Sequence, residues 1–392
     1  MKILFITAWY PTEENPVKGI FVREYAKAVS TVGDEVVIIH SQRTKTRIRG
    51  LYHYSDKLED GIRTIRISYF RSPFRAINYL IYLWSIFNMS QKVIREGFKP
   101  DIVHAHIFSA GVPSVVIGKI YRIPVVVTEH SSAFPMRTLS RFDILQARIA
   151  FGCAERILPV SRSLQKGIES YGIRDHFQIV PNAVDASVFF CSPKLQEVRD
   201  IKRILFVGSL IPNKGILYLL EALKRIKQKR GDWHTDIIGD GPKRLEYERL
   251  AVDLGLANKI TFHGLKSRHE IAKFMRQTDF FILPSLFETF SVVTVEALVT
   301  GTPVLVTRSG GPDEFVTKDV GLLIPPGNID ALYNGLDYML NHFERFKSDQ
   351  ISTYAADRFS LQQVGEQLNK IYLECIKKYR TKYGNTTEAK TH

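Results

Sequence analysis

Two glutamates stand out in the stretch FETFSVVTVEAL, residues 287–298, where Glu288 and Glu296 follow directly on the apolar run FFILPS. A strand ending there and a helix starting after it put both carboxylates at the carboxyl end of a parallel sheet, where α/β proteins bind polar ligands. Glu288 falls on the strand-to-helix turn and Glu296 about two turns along, so both would face one ligand. Between them, the amides of Thr289, Phe290, Ser291 and Val292 would offer unpaired donors suited to phosphate. Acids near a helix start also favour the helix dipole without any ligand. A cationic candidate sits in RILFVGSLIPNKG, where a strand and a turn at Gly208 lead to Lys214 and Gly215, just before a helical pattern opens at Ile216. A lysine beside a helix N-terminus suits a diphosphate, although a loop lysine would look the same. The segment matches neither the P-loop nor the dinucleotide glycine fingerprint.

The elements that must position these residues follow a simple order. KILFITAWY, a helix near residues 21–32, EVVIIH, a helix over about 77–94, DIVHAH and PVVVTEH alternate strand and helix patterns. ERILPVS and FQIVPNAVD follow, then a polar, poorly patterned stretch at residues 191–202. The alternation restarts with RILFVGS, HTDIIGDG, KITFHG, FFILPS and PVLVT. Alternating strands and helices predict doubly wound parallel sheets. The expected organisation is a first domain over 1–190, a linker over 191–202 and a second domain over 203–360. Val364, Leu368, Ile371 and Cys375 share one helical face, predicting a closing helix over 361–380 that packs back on the first domain, with a polar tail at 381–392.

With 392 residues, 45% of them hydrophobic, the chain is long enough for about two cores. Cys153, Cys191 and Cys375 lie far apart with no metal-ligand or paired spacing, which argues against a zinc site and a disulfide framework. MKILFITAWYP lacks the features of a secretory signal, and the apolar stretch at 76–87 is too short to cross a bilayer, so a cytoplasmic protein is expected. The net charge is +14, and the first 100 residues hold 16 Lys+Arg against 9 Asp+Glu. Arg43, Lys45, Arg47 and Arg49 form one basic run; Arg63, Arg66, Arg71 and Arg75 lead into the aromatic stretch that ends at Phe87. Such a segment fits peripheral contact with an anionic membrane, and equally a solvated face beside a core helix. The charge is not arranged as any nucleic-acid-binding module.

Taken in order, VKGIFVREYAKAV, PDIVHAH, VVVTEHSS, ILPVS, IVPNAVD, VGSLIPNKG, IIGDGP, ITFHG, LPSLFETFSVVTVEAL, GTPVLVTRSGGPDE and GLLIPPGN resemble glycosyltransferase family 4 over nearly the whole chain. That resemblance implies the GT-B fold, α/β with two Rossmann-like domains facing a central cleft. It implies a retaining, metal-independent hexosyltransferase with no cofactor. The nucleotide diphosphate sugar is its co-substrate, and a glycan or lipid-linked acceptor binds mainly in the first domain. By motif, Lys214 would neutralise the leaving diphosphate, Glu288 would hold donor-sugar hydroxyls, Glu296 the ribose, and Leu265 would meet the base. His130 would lie near the reaction centre, with His104 and His106 in DIVHAH as further candidates. Gly19 would let a loop approach the phosphates, with Lys18 where many relatives have a second glycine. Ser209 stands where the family commonly has arginine; Arg308, Lys18 or the 289–292 amides would have to compensate. A catalytically weak nucleotide-sugar-binding subunit and a GT-B epimerase or hydrolase are the competing readings.

Overall fold

The computed structural model describes all residues except 13, 14, 16, 45–49, 71, 175, 193–199 and 385–392; Lys45, Arg47, Arg49 and Arg71 therefore lie outside the described residues. Contacts divide the chain into two units, Met1–Ala183 joined by the segment from Leu361 onward, and Val184–Ser360.

The first unit contains β1 (Lys2–Thr7), α1 (Ile20–Thr31), β2 (Glu35–Thr44), β3 (Tyr52–Glu59), β4 (Ile62–Phe70), α2 (Arg75–Arg95), β5 (Ile102–His106), α3 (Phe108–Tyr121), β6 (Val125–Glu129), α4 (Arg141–Gly152), β7 (Arg156–Pro159) and α5 (Arg162–Glu169). Its sheet order is β3-β4-β2-β1-β5-β6-β7. All pairs are parallel except β3–β4, an antiparallel hairpin that the alternation of strand and helix patterns did not predict. The strand connections run in opposite directions on the two sides of β1, and right-handed crossovers then put α1 on one face and α2, α3 and α4 on the other.

The second unit holds β8 (Lys202–Val207), α6 (Ile216–Lys229), β9 (Trp233–Ile238), α7 (Arg244–Asp253), β10 (Ile260–Gly264), α8 (Arg268–Gln277), β11 (Phe280–Leu283), α9 (Val292–Val299), β12 (Val304–Thr307), β13 (Gly321–Ile324), α10 (Ile329–His342) and α11 (Ser348–Phe359). The order β10-β9-β8-β11-β12-β13 is the 3-2-1-4-5-6 arrangement of a dinucleotide-type sheet. Its direction reverses between β8 and β11, which opens a crevice at the carboxyl ends of those two strands.

The last helix, α12 (Leu361–Gly384), returns to the first unit. Val364, Leu368, Ile371 and Tyr372 are fully buried there with Val22, Tyr25 and Val29 of α1. The helix runs on to Gly384, past residue 380. The change of unit falls between Ala183 and Val184, upstream of the 191–202 stretch, for a tertiary reason. The Val184 N–H donates to the Phe359 carbonyl at 2.8 Å, and Phe189 is buried beneath the Arg268 guanidinium, 5.1 Å from its ring centroid.

The expected basic surface is also revised. Arg63 donates to Asp56 at 2.6 and 3.0 Å and to Glu96, while Arg66 donates to both oxygens of Glu59 at 2.6 Å and to the Pro11 carbonyl at 2.8 Å. These arginines lock the β3–β4 hairpin to its surroundings and are not free to meet a partner.

Candidate functional site

In the second unit, Lys214 ends a 3-10 turn, Pro212–Lys214, that follows β8. The next residue, Gly215, has φ +72°, and a Cβ there would lie 2.0 Å from the Pro284 carbonyl oxygen. The chain after β8 can therefore press against the chain after β11 only with glycine at this position. Asn213 secures the approach, donating to the Phe287 carbonyl at 2.9 Å and accepting from the Leu286 N–H at 2.8 Å. Gly215→Ala should cost about 2–4 kcal/mol from the left-handed backbone and the overlap. That is a fall in Tm of at least about 5 °C for a unit of this size, readable by scanning calorimetry.

The approach delivers Lys214 Nζ to 2.6 Å from Glu288 Oε1, and Ser285 Oγ donates to the same oxygen at 2.7 Å. The Glu288 backbone is pinned as well. Its N–H donates to the Ser309 carbonyl at 2.8 Å and its carbonyl accepts from the Gly311 N–H at 2.9 Å. Both partners lie just past β12, so three strand ends converge on one carboxylate.

Beyond Glu288, α9 starts without a side-chain cap. Ser291, at φ 75°, turns its hydroxyl to Thr294 Oγ1 at 2.7 Å. Among the described residues, the backbone N–H groups of Thr289, Phe290, Ser291, Val292 and Val293 have no protein acceptor. Such a run of open donors at a helix start attracts anions.

Glu296, buried on α9, has a cationic partner of its own, since Arg268 Nη2 donates to its Oε1 at 3.2 Å. Arg268 is the first residue of α8, whose start is set by a capping box. The Glu270 N–H donates to Ser267 Oγ at 3.3 Å, and the Ser267 N–H donates to Glu270 Oε2 at 2.8 Å. Leu265, one residue past β10, is exposed, and so is Ser209. Arg308 reaches only to 3.8 Å from Asp313.

In the first unit, Gly19 caps α1 with φ +73°, and a Cβ there would lie 2.4 Å from the Trp9 carbonyl carbon. Lys18 stands 5.9 Å over the Trp9 ring. His130, just past β6, is buried and stacks on Phe21 with centroids 3.9 Å apart. Its Nε2 is 3.4 Å from His106 Nδ1, and His106 stacks on His104 at 4.2 Å. His104 is bonded through Nδ1 to the Tyr372 hydroxyl at 2.6 Å and through Nε2 to Thr128 Oγ1 at 2.7 Å. Burial holds all three imidazoles neutral. It carries His104 down to about 3 and, aided by mutual repulsion, His106 and His130 well below the usual range. His130 is thus equipped to make neutral hydrogen bonds, not to carry a charge.

Glu129 accepts from the N–H groups of Phe108 at 2.9 Å, His130 at 3.0 Å and Ser131 at 2.8 Å. Burial nevertheless pushes its carboxyl up to about 7. It ties the loop after β6 to Phe108, which follows Ile107, a β-branched residue held at φ 74°. At this same end of the sheet lies a cavity of about 780 Å³, lined among others by Trp9, Lys18, Arg43, Tyr69, Tyr79 and Arg141.

The family models agree with both halves. Residues 19–188 match Glycosyltransferase Family 4, and residues 191–357 match Glycosyl transferases group 1. The chain is a family 4-type glycosyltransferase. It is 25% identical to an uncharacterised glycosyltransferase of Methanocaldococcus jannaschii, over 95% of this chain and 98% of that one. It is 26% identical to TuaC of Bacillus subtilis, ascribed to teichuronic acid biosynthesis, over 85% of this chain and 87% of that one. Among solved structures, Anabaena HepE in complex with UDP and glucose superposes with a TM-score of 0.74 at 20% identity, covering 95% of this chain and all of that one. Both units have the parallel α/β architecture of the GT-B fold.

Reading this glycosyltransferase from sequence missed Arg268 and Glu129. The S-R-H-E capping box directly after ITFHGLK was a usable signal for the first, since it starts a helix at the ligand-binding end of the sheet with arginine at its first position. For Glu129 the signal was a lone acid closing the buried run VVVT.

Proposed function

We propose that this glycosyltransferase moves a hexosyl group from a nucleotide diphosphate sugar to an acceptor hydroxyl with retention of anomeric configuration, in assembly of cell-surface polysaccharide or glycolipid. The observation that carries this is the joining of Lys214 and Glu288, next to the open N–H run from Thr289, at the switch point of the second sheet. A diphosphate needs such a cluster of donors, and no protein group among the described residues uses the open ones. The UDP and glucose held by HepE and the pathway ascribed to TuaC support the donor class and the role.

On this reading the bond between the anomeric carbon and the diphosphate oxygen breaks while the acceptor oxygen bonds to the same face of that carbon. The acceptor proton passes to the departing phosphate oxygen. Lys214 and the 289–292 amides stabilise the negative charge without a metal, Glu288 holds sugar hydroxyls, and Glu296, steadied by Arg268, takes the ribose. The cavity of the first unit receives the acceptor.

The test is incubation with uridine, guanosine and adenosine diphosphate sugars, following thermal stabilisation, donor hydrolysis and, with acceptor, product configuration by NMR. One donor should stabilise the protein and be slowly hydrolysed, and its product should keep the donor's configuration; an inverted product overturns the retaining assignment. The binding-subunit reading draws on one observation, the exposed Ser209 at the place of a cation, and stabilisation without turnover with any acceptor would favour it.

A further inference from the structure

We propose that the face formed by α2, α3 and α4 docks on an anionic lipid bilayer. The helices pack side by side, α2 on α3 and α3 on α4, and Tyr79 meets Phe142 edge to face at 5.1 Å, joining α2 to α4 directly. Each helix shows apolar side chains to solvent at one-turn spacing. α2 presents Ile77, Leu80 and Trp84, with Leu80 64% and Trp84 52% exposed. α4 presents Phe142, Leu145 and Ile149, with Leu145 54% exposed, and α3 adds Val116 and Ile120. Single exposed apolar residues are ordinary, but rows of them on three adjacent helices mark an interaction surface. No helix among the described residues is long and apolar enough to cross a membrane, so the fitting geometry is a helix layer lying in the interfacial plane.

Charge selects the partner. The three helices hold Arg75, Lys92, Arg95, Lys119, Arg141 and Arg148 against a single acid, Asp143. Asp143 serves as a cap, accepting from the Ser140 N–H at 3.1 Å and the Ser140 hydroxyl at 2.6 Å. Lys92 is neutralised by Asp56 and Glu96. Lys119, Arg141 and Arg148 are exposed beside Ile120, Phe142 and Ile149 of the apolar rows, the composition that binds anionic headgroups. A second copy of the chain would oppose like charges. Tyr79, Arg141 and Phe142 also line the first-unit cavity, so docking sets that cavity against the headgroups, where a lipid-anchored acceptor would reach it. This last consequence rests on the acceptor reading above; the docking does not.

The experiment sediments the full chain with vesicles of phosphatidylcholine alone and of phosphatidylcholine mixed with phosphatidylglycerol, beside Leu80→Ser/Leu145→Ser and Arg148→Glu. The unaltered protein should pellet with the mixed vesicles. The leucine variant should partition about tenfold less, and Arg148→Glu should bind the mixed vesicles more weakly, both with unchanged Tm and donor hydrolysis. Absence of pelleting with either vesicle, or undiminished pelleting of the leucine variant, overturns the proposal. So does a dimer in ultracentrifugation that the leucine variant dissolves, which would give the face to a second copy. Because donor hydrolysis is read separately, a failure here leaves the transferase assignment standing.

Discussion

Lys214→Ala should lower kcat for sugar transfer about 10²–10³-fold, the usual effect of removing one donor aimed at developing charge, with a smaller change in KM. The ammonium is 2.6 Å from Glu288 Oε1, so a diphosphate must compete with that carboxylate for it. Glu288→Gln separates the two roles. It frees Lys214 from its counter-charge while removing the group assigned to the sugar hydroxyls. Transfer should fall comparably, but product inhibition by the free nucleoside diphosphate should strengthen about fivefold, the scale of a partly exposed ion pair. Steady-state kinetics with the diphosphate as inhibitor reads both. A Glu288→Gln enzyme with weakened product inhibition would remove Glu288 from competition for Lys214, and full activity in Lys214→Ala would end the leaving-group assignment.

The second large effect is on stability in acid. Four buried histidines of the first unit are held neutral by burial: His40 at about 4, His104 at about 3, His106 and His130 well below the usual 6.5. Unfolded, each takes up a proton near 6.5, so the stability of the folded state is fully present above that pH and is lost as pH falls toward the folded values. Glu129 acts in the opposite sense. Its carboxyl at about 7 is protonated in the folded state before it would be in the unfolded chain, near 4.5, which favours folding as pH falls through that window. As pH falls from about 6.5 to 4.5 the histidines come to prevail by about three protons, a slope that approaches about 4 kcal/mol per pH unit below pH 5.5. Urea midpoints measured from pH 7 to 5 should fall steeply, and His106→Gln should flatten the slope by about a third. A midpoint independent of pH over that range would show that the folded histidines take up protons as readily as those of the unfolded chain and are not held neutral by burial.

Much of the second unit was legible because its chemistry is local. Lys214, Gly215, Glu288 and the uncapped start of α9 all sit where a strand pattern gives way to a helix pattern, and that change of period is visible in a single sequence. Their convergence was not, because it depends on Asn213 and on the chain after β12, which pair with Glu288 across long separations. The β3–β4 hairpin escaped because Tyr52–Glu59 is a largely polar, exposed edge whose pairing comes from the arginines of β4 reaching back to Asp56 and Glu59. Those same arginines looked like free surface charge when read alone. The change of unit at Val184 was equally hidden, since it follows from one backbone pairing with Phe359 and no shift in composition marks it. His130 was singled out as a candidate by motif, but its burial and neutrality were not visible, since they come from Phe21, Tyr25 and the neighbouring histidines closing around it.

The return of α12 to the first unit bears on how the chain is made. The second unit is continuous in sequence, so it can close its core as soon as Ser360 has left the ribosome. The first unit, although synthesised earlier, lacks Val364, Leu368 and Ile371 against α1 and the Tyr372 hydroxyl against His104 until the final helix emerges. The half of the protein made first is therefore completed last. Until then the face of α1 that α12 covers stays open to chaperones and proteases, which makes the emergence of α12 the step that commits the first unit to its folded state.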